Sequence, residues 1–317
     1  MTDEPPTATP RWLHDWAVLT VCATLPLLIL GAEVTTKQVG MVDPVGFREP
    51  WHMLKVPLQE LGLGFVIEHS HRLAGFVVGT CVIVLATGLW LREPRRWVRW
   101  LGVAALAAVS IQGLLGGFRV NLNALMGTNL ALVHGCFAQL VFALLVSLAL
   151  FTSRGWWAAT GHAEPAMLRR WALVTVALVY LQVVLGAVVR HKDVPWGARA
   201  HLITAFGVVA AVSWLVRLVS EHHPGRRWRT GPAWLLAGLL GLQLFLGVES
   251  WMQKFASPGW HQLRPVTAEP DLLRTAHFFV GSLLFATAVV LTLQAYRGAS
   301  SSADVGVVPL SRLEGAA

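Results

Sequence analysis

The chain has 317 residues, of which 55% are hydrophobic and only 13% are charged. Soluble domains carry about 25% charged residues, so this composition excludes an ordinary soluble protein. The formal net charge of +8 would indicate a nucleic-acid partner in a soluble protein. In a membrane protein the same charge is typical of the loops that orient the spans. We therefore expect a protein of the lipid bilayer with no nucleic-acid partner.

Apolar segments recur along the whole chain, each long enough to cross a hydrocarbon core of about 30 Å as a helix. The alternation of a β-barrel is not seen, so helices must satisfy the backbone in lipid. The sequence therefore predicts an all-α integral membrane protein with eight spans. They cover residues 16–36, 65–91, 97–118, 125–152, 168–190, 197–219, 231–251 and 272–296. No signal-peptide pattern precedes the first span, which we expect to be retained.

The distribution of basic residues predicts the orientation of the spans. Of the 25 Lys and Arg residues, 14 fall on the side of the termini and 11 on the other side, five of them beside motif residues described below. Without those five the bias is 14 to 6, which places both termini in the cytoplasm. The predicted organisation is a cytoplasmic N-terminus (1–15), a four-helix bundle (16–152), a cytoplasmic linker (153–167), a second four-helix bundle (168–296) and a disordered cytoplasmic tail (297–317).

An internal repeat divides the chain into these two bundles. Three odd-numbered spans end on a glutamine followed four residues later by a glycine, and every even-numbered span has a histidine near its start. The two halves are thus predicted to be copies of one four-helix unit. Glycines at matching positions allow either close helix approach or room for a flat ligand. The repeated glutamine–glycine pairs are Gln112/Gly116, Gln182/Gly186 and Gln243/Gly247.

The four histidines form the candidate site. Ionisable residues within spans are costly and usually face the protein interior. Neighbouring even helices would bring them together as His71/His134 and His201/His277. Two imidazoles facing each other across a bundle suit heme iron, which takes axial ligands on both sides. Zinc is disfavoured because no further cysteine or carboxylate completes a tetrahedron. A purely structural role for the histidines is the alternative.

Five arginines at the same ends of the helices fit a heme as well. Heme propionates are anionic, and guanidinium groups bind carboxylates through charge-assisted, often bidentate hydrogen bonds. We predict that these arginines bind propionates. They are Arg72, Arg119, Arg190, Arg199 and Arg274.

The two halves differ in one carboxylate. Only the first half has an acid, Glu68, one helical turn before His71 and Arg72. It is either an i,i+4 ion pair with Arg72 or a proton acceptor beside a reacting heme. The difference suggests a reacting heme in the first half and a permanent electron-transfer heme in the second.

Several of these motifs together resemble the heme A synthase family over essentially all eight spans. The most specific is the E-x-x-H-R run. The motifs are Glu68–Arg72, VHG at Val133–Gly135, RAH at Arg199–His201, AH at Ala276–His277, and GAEVTTKQVGM after the first span.

The resemblance implies an oxidoreductase that converts the C8 methyl of heme O to the formyl of heme A by successive hydroxylations, for cytochrome oxidase assembly in the bacterial cytoplasmic membrane. It implies heme b on His201 and His277 and substrate heme O on His71 and His134, with Glu68 needed for activity. It leaves open contacts with heme O synthase, with oxidase subunits and with a second copy of the chain.

Other readings stay open at this point. A diheme b-type cytochrome would transfer electrons without modifying heme, and a transporter would show helices broken at mid-membrane. The first outer loop (37–64) lacks the cysteine pair of some family members. We expect His52 in that loop, and Glu33 and Glu249 at span ends, to be solvated.

Overall fold

The structure is a computed structural model that describes residues 9–43, 49, 52, 55–158, 164–192, 194–225, 227–255 and 268–297. Every regular element in these ranges is helical. Eight helices there are long and apolar enough to cross a membrane, so the predicted all-α, multi-pass fold is confirmed. They are α1 (Arg11–Thr36), α2 (Leu63–Arg92), α3 (Arg96–Asn121), α4 (Asn129–Thr152), α5 (Ala166–His191), α6 (Pro195–His222), α7 (Arg227–Phe255) and α8 (Ala268–Tyr296).

The helix boundaries differ from the predicted ones at a few places. The fourth span was expected to begin at residue 125, but a short helix, Asn123–Met126, precedes α4. The chain turns between them at Gly127, whose φ of +54° lies in the left-handed region that glycine adopts readily. The predicted linker contains a short helix, Arg154–Ala158. Residues 1–8 and most of the predicted disordered tail (298–317) lie outside the described ranges.

The helices pack in two rings of four. In the first half α1 contacts α2, α2 contacts α3, α3 contacts α4, and α4 contacts α1; helices α5 to α8 repeat this pattern. Helix α8 also packs against α1 and α4, and α5 packs against α4, which joins the halves. This arrangement is consistent with the predicted pair of four-helix units.

The apolar core of each ring lies toward one end of its helices. In the first half the buried cluster includes Leu13, Leu85, Val98 and Leu148, and in the second half a corresponding cluster is centred on α5 to α8. Both clusters lie at the end of the helices away from the four histidines. We call the opposite end, where α1, α3, α5 and α7 finish and their even-numbered partners begin, the histidine end. Buried polar side chains, among them Asp43, Glu68 and His69, lie at this end.

Hydrogen bonds from α5 and α8 to α1 connect the two halves at the histidine end. Arg190 Nη2 of α5 donates to Ala32 O at 2.7 Å and to Thr36 Oγ1 at 2.6 Å, both on α1. Thr275 Oγ1 of α8 donates to Glu33 Oε1 of α1 at 2.6 Å. The expectation that Glu33 is a solvated carboxylate is therefore wrong, because its side chain is only 20% exposed and belongs to this junction.

Candidate functional site

Each of the four predicted histidines lies against a glycine of the preceding helix. A Cβ atom on that glycine would come closer to the imidazole than the 3.4–4 Å of ordinary contacts. The glycines therefore make room for the imidazole rings, which favours close helix approach over space for a flat ligand. The distances from such a Cβ to histidine Cε1 are 2.9 Å for Gly31/His71, 3.3 Å for Gly116/His134, 3.1 Å for Gly186/His201 and 3.1 Å for Gly247/His277.

A glutamine one turn before the glycine faces the same histidine in three of the four repeats. Its amide nitrogen lies 3.3–3.5 Å from the ring Nε2. Nδ1 of each ring and Oε1 of each glutamine are buried without a hydrogen-bond partner among the described atoms. Because buried polar atoms are normally satisfied, these are positions that a bound group would complete. The pairs are Gln112/His134, Gln182/His201 and Gln243/His277.

The fourth histidine is held differently. Leu27 stands where the other repeats have glutamine, four residues before Gly31. The Nδ1 of His71 instead lies 3.3 Å from the backbone oxygen of Leu27. This contact fixes the ring with Nδ1 as the donor and leaves Nε2 as its candidate ligand atom.

The second-half pair has a spacing that fits one metal ion between two rings. The ring centres of His201 and His277 lie 6.5 Å apart, with an angle of 79° between the planes. If each nitrogen lay about 2 Å from a metal, with its ring centre about 1 Å behind it, the centres would be separated by about 6 Å. The residues therefore fit two axial ligands of one heme iron. Within the described ranges no group of three or more His, Cys, Asp or Glu forms a metal cluster.

The first-half pair is surrounded by charge. His71 and His134 lie close enough to interact electrostatically, and both are within electrostatic range of the Arg119 guanidinium. Arg119 also interacts with Glu68. His71 is also within electrostatic range of Arg72, so two guanidinium groups that both interact with Glu68 lie near this pair.

Glu68 is almost fully buried, with 2% of its surface exposed. Its Oε1 accepts a hydrogen bond from Arg72 Nη2 at 2.5 Å, and its Oε2 accepts from the backbone N–H groups of Val42 and Asp43, both at 2.8 Å. The i,i+4 ion pair offered as one reading of the sequence is therefore present. The role of Glu68 as a proton acceptor stays a prediction.

The other predicted arginines occupy distinct positions. Arg190, besides its bonds to α1, lies over the Phe278 ring at 5.4 Å. It is within electrostatic range of His277, Arg274 and Arg119. Arg199 is exposed. Binding of propionates by these arginines stays a prediction.

Three residues near the first pair were missed or misjudged from sequence. Asp43 and His69 are buried, with 1% and 0% of their surface exposed. The Asp43 carboxylate lies 3.4 Å from His69 Nδ1 and 3.1 Å from His52 Nδ1. The expectation of a solvated His52 is wrong, because the ring pairs with Asp43 and packs edge-on against Phe65. The available signal was one acidic loop residue followed by two histidines, at positions 52 and 69.

These observations define a multi-pass membrane protein whose two four-helix rings each hold one histidine pair at the same end. Residues 46–196 match the family described as cytochrome oxidase assembly protein. Similar proteins include the heme A synthases of Lysinibacillus sphaericus (29% identity over 58% of this chain), Alkalihalophilus pseudofirmus (31% over 33%) and Listeria monocytogenes (29% over 57%). The chain is thus similar to heme A synthases over part of its length, in agreement with the resemblance of its motifs.

The matches are partial in length. The aligned regions span 59%, 35% and 60% of these three relatives. No solved structure matches the chain significantly.

Proposed function

We propose that this protein is a heme A synthase, which oxidises the C8 methyl of heme O to a formyl group and supplies heme A to a terminal oxidase. The observation that carries the proposal is the placement of Glu68. A buried carboxylate lies beside one histidine pair, whereas the matching position of the second half is Ala198. An acid at this position in only one of the two halves suits one reacting site and one permanent cofactor site. The partial matches to heme A synthases support the same conclusion.

The residues divide between the two sites. His201 and His277, whose ring centres lie 6.5 Å apart, would hold a resident heme b. His71 and His134 would hold the substrate heme O. When bound, heme iron supplies the redox chemistry of the oxidation.

The charged residues of the protein would act around these groups. Glu68 would hold or accept a proton beside the substrate. Arg72 keeps this carboxylate in place, and Arg119, within range of both first-half histidines, would bind a propionate. Arg190 and Arg274 would serve the second site in the same way, and Arg199 would bind a propionate at its edge.

We further propose that the protein lies in the bacterial cytoplasmic membrane with both termini in the cytoplasm. The excess of basic residues on that side supports this orientation. Heme O synthase and cytochrome oxidase subunits are the partners expected of such an activity, because a poorly soluble heme must be received and delivered within the bilayer.

The direct test is production of heme A. The protein is co-expressed with a source of heme O in cells that lack this activity, and extracted hemes are examined by mass spectrometry. A formyl-bearing heme is the expected result. Heme-loaded protein that yields none would identify an electron-transfer cytochrome instead.

Two histidine variants test the division between the sites. His201→Ala should remove the heme spectrum of the purified protein, because one axial ligand of the resident heme is lost. His71→Ala should abolish conversion of heme O while the resident heme remains. Loss of all heme from His71→Ala would contradict the two-site assignment.

A further inference from the structure

A short turn after α1 crosses the histidine end of the first half. Helix α1 ends with Gln38 in the left-handed conformation, at φ 56°. The N–H of Gln38 bonds to Thr35 O at 3.3 Å and that of Val39 to Val34 O at 3.0 Å. This pair of bonds is a Schellman motif, which ends a helix and reverses the chain. We call residues 38–43, which follow this reversal, the strap.

The strap touches each charged residue described beside the first histidine pair. Its last two backbone N–H groups, of Val42 and Asp43, both donate to Glu68 Oε2. The backbone oxygen of Asp43 accepts from Arg72 Nη2 at 3.1 Å. At Gly40, a Cβ would lie 3.0 Å from Arg119 Nη2, so the absence of a side chain lets the guanidinium lie against the backbone.

Asp43 is buried, and its side chain fixes the end of the strap. Its carboxylate contacts the rings of His52 and His69, and Oδ2 lies 3.7 Å from Arg72 Nη1. A buried carboxylate is costly unless it is paired and hydrogen-bonded, so these contacts hold Asp43 in one place. Since Asp43 N–H is one of the two donors to Glu68, fixing Asp43 also fixes the carboxylate of Glu68.

Gly64, at the start of α2, lets the strap pack closely against this helix. A Cβ on Gly64 would lie 2.8 Å from Val39 Cγ1 and 3.6 Å from Val42 Cγ2, whereas one on Gly62 would meet nothing within 4 Å. The strap therefore packs directly on the first turn of the helix that carries Glu68 and His71.

In the second half, Ala198 stands in place of Glu68, and the connection between α5 and α6 differs from the strap in length. Helix α5 ends at His191 and α6 begins at Pro195, so residues 192–194 alone connect them. This connection is too short to cross the histidine end as the strap does. The strap and Glu68 thus occur together, in the half that we assign to the substrate.

We propose that the strap is a positioning element of the reacting site and that Asp43 is its positioning residue. Asp43 places two backbone N–H groups on one oxygen of Glu68, which orients the other oxygen and the Arg72 guanidinium relative to the histidine pair. Its effect on turnover rests on the proposed function, but its effect on the strap does not.

The first measurement is hydrogen–deuterium exchange of the peptide that contains residues 38–43, in the full-length protein. Asp43→Ala and Gly64→Ala should each raise exchange at Val42 and residue 43, because both loosen the strap, whereas Gly62→Ala should not. Unchanged exchange in both test variants would overturn the proposal. This result does not depend on whether the protein makes heme A.

The second measurement is the kinetics of heme O conversion. Mutation of a residue that holds a functional side chain in place typically lowers activity by about tenfold to a hundredfold. Asp43→Ala should therefore lower kcat by about tenfold or more, with a smaller change in KM. Asp43→Asn, which keeps an acceptor oxygen for only one of the two histidines, should restore part of the loss. Heme content at His201 and His277 should stay unchanged.

A double variant decides whether Asp43 acts through Glu68. In a Glu68→Gln background, adding Asp43→Ala should cost little further activity, because coupled residues are not additive. Fully additive losses would show that Asp43 acts independently and would refute the positioning role. A wild-type protein that makes no heme A would instead refute the proposed function and leave the exchange result to decide on the strap.

Discussion

Substitution of Gly186 by alanine tests directly whether His201 is a heme ligand in the observed orientation. The new Cβ would lie 3.1 Å from His201 Cε1, whereas ordinary contacts begin at 3.4 Å. The ring must therefore retreat by at least about 0.3 Å, which exceeds the ~0.2 Å within which metal–ligand distances are held. We expect heme affinity to fall by about tenfold, which corresponds to about 1.4 kcal/mol.

The same substitution should not weaken the helix itself. Alanine in a helix interior is more favourable than glycine by roughly 0.5–1 kcal/mol, so stability of the heme-free protein should be unchanged or higher. Gly207→Ala is the matched control, because a Cβ at that position of α6 meets nothing within 4 Å. The control should keep its heme and gain the same helix stabilisation.

The assay is heme per chain by pyridine hemochrome, combined with the thermal unfolding midpoint of the heme-free protein in detergent. Partial heme loss in Gly186→Ala without loss of helix stability is the expected pattern. Full heme content with an unaltered spectrum would show that His201 does not ligate iron from its position against Gly186. Equal heme loss in Gly207→Ala would show that helix packing in general, rather than the histidine contact, sets heme affinity.

Three further predictions concern other positions. Gly31→Ala, whose Cβ would lie 2.9 Å from the His71 ring, should lower heme O conversion while the resident heme remains; loss of that heme would contradict the assignment. Gln38→Gly should raise the free energy of unfolding by about 1 kcal/mol, because the left-handed conformation at φ 56° is costly for a residue with a Cβ; a lower thermal midpoint would contradict this reasoning. Glu93→Gln should destabilise the protein by about 3 kcal/mol, because it removes the negative charge of a fully buried carboxylate 2.6 Å from Arg95 Nε; a midpoint equal to that of the wild type would show that the charge pair contributes nothing.

The eight spans could be predicted because lipid imposes one requirement on every segment. A run of about 20 apolar residues is needed to cross the membrane, and such runs are visible in the sequence without knowledge of their neighbours. Boundaries were less accurate where a local turn, such as that at Gly127, interrupts a polar or mixed stretch.

The histidines, glycines and glutamines were predictable as a repeat, but their contacts were not. Spacing places Gln182 and Gly186 on one face of a helix. It does not say that the glycine accommodates the ring of His201, or that Leu27 in the first repeat changes how His71 is held. Those facts depend on the distance between helices, which the sequence does not state.

The buried cluster around Asp43 was the largest omission. Asp43 lies in a loop that reads as polar and exposed, and its partner His69 is 26 residues away. Loops usually run over the surface, so an acidic residue there is expected to be solvated. Only the return of the chain over α2 buries it.

The differences between the halves all fall at the site that we assign to substrate. The resident cofactor stays bound through every turnover, and both of its histidines face a glutamine amide. A substrate site must also release its product, and there His71 has only a backbone oxygen in place of the amide. Glu68 and the strap that positions it lie in the same half. The same four-helix arrangement can thus hold a permanent heme in one half, whereas a single acid, leucine in place of one glutamine and a longer connection suit the other half to turnover.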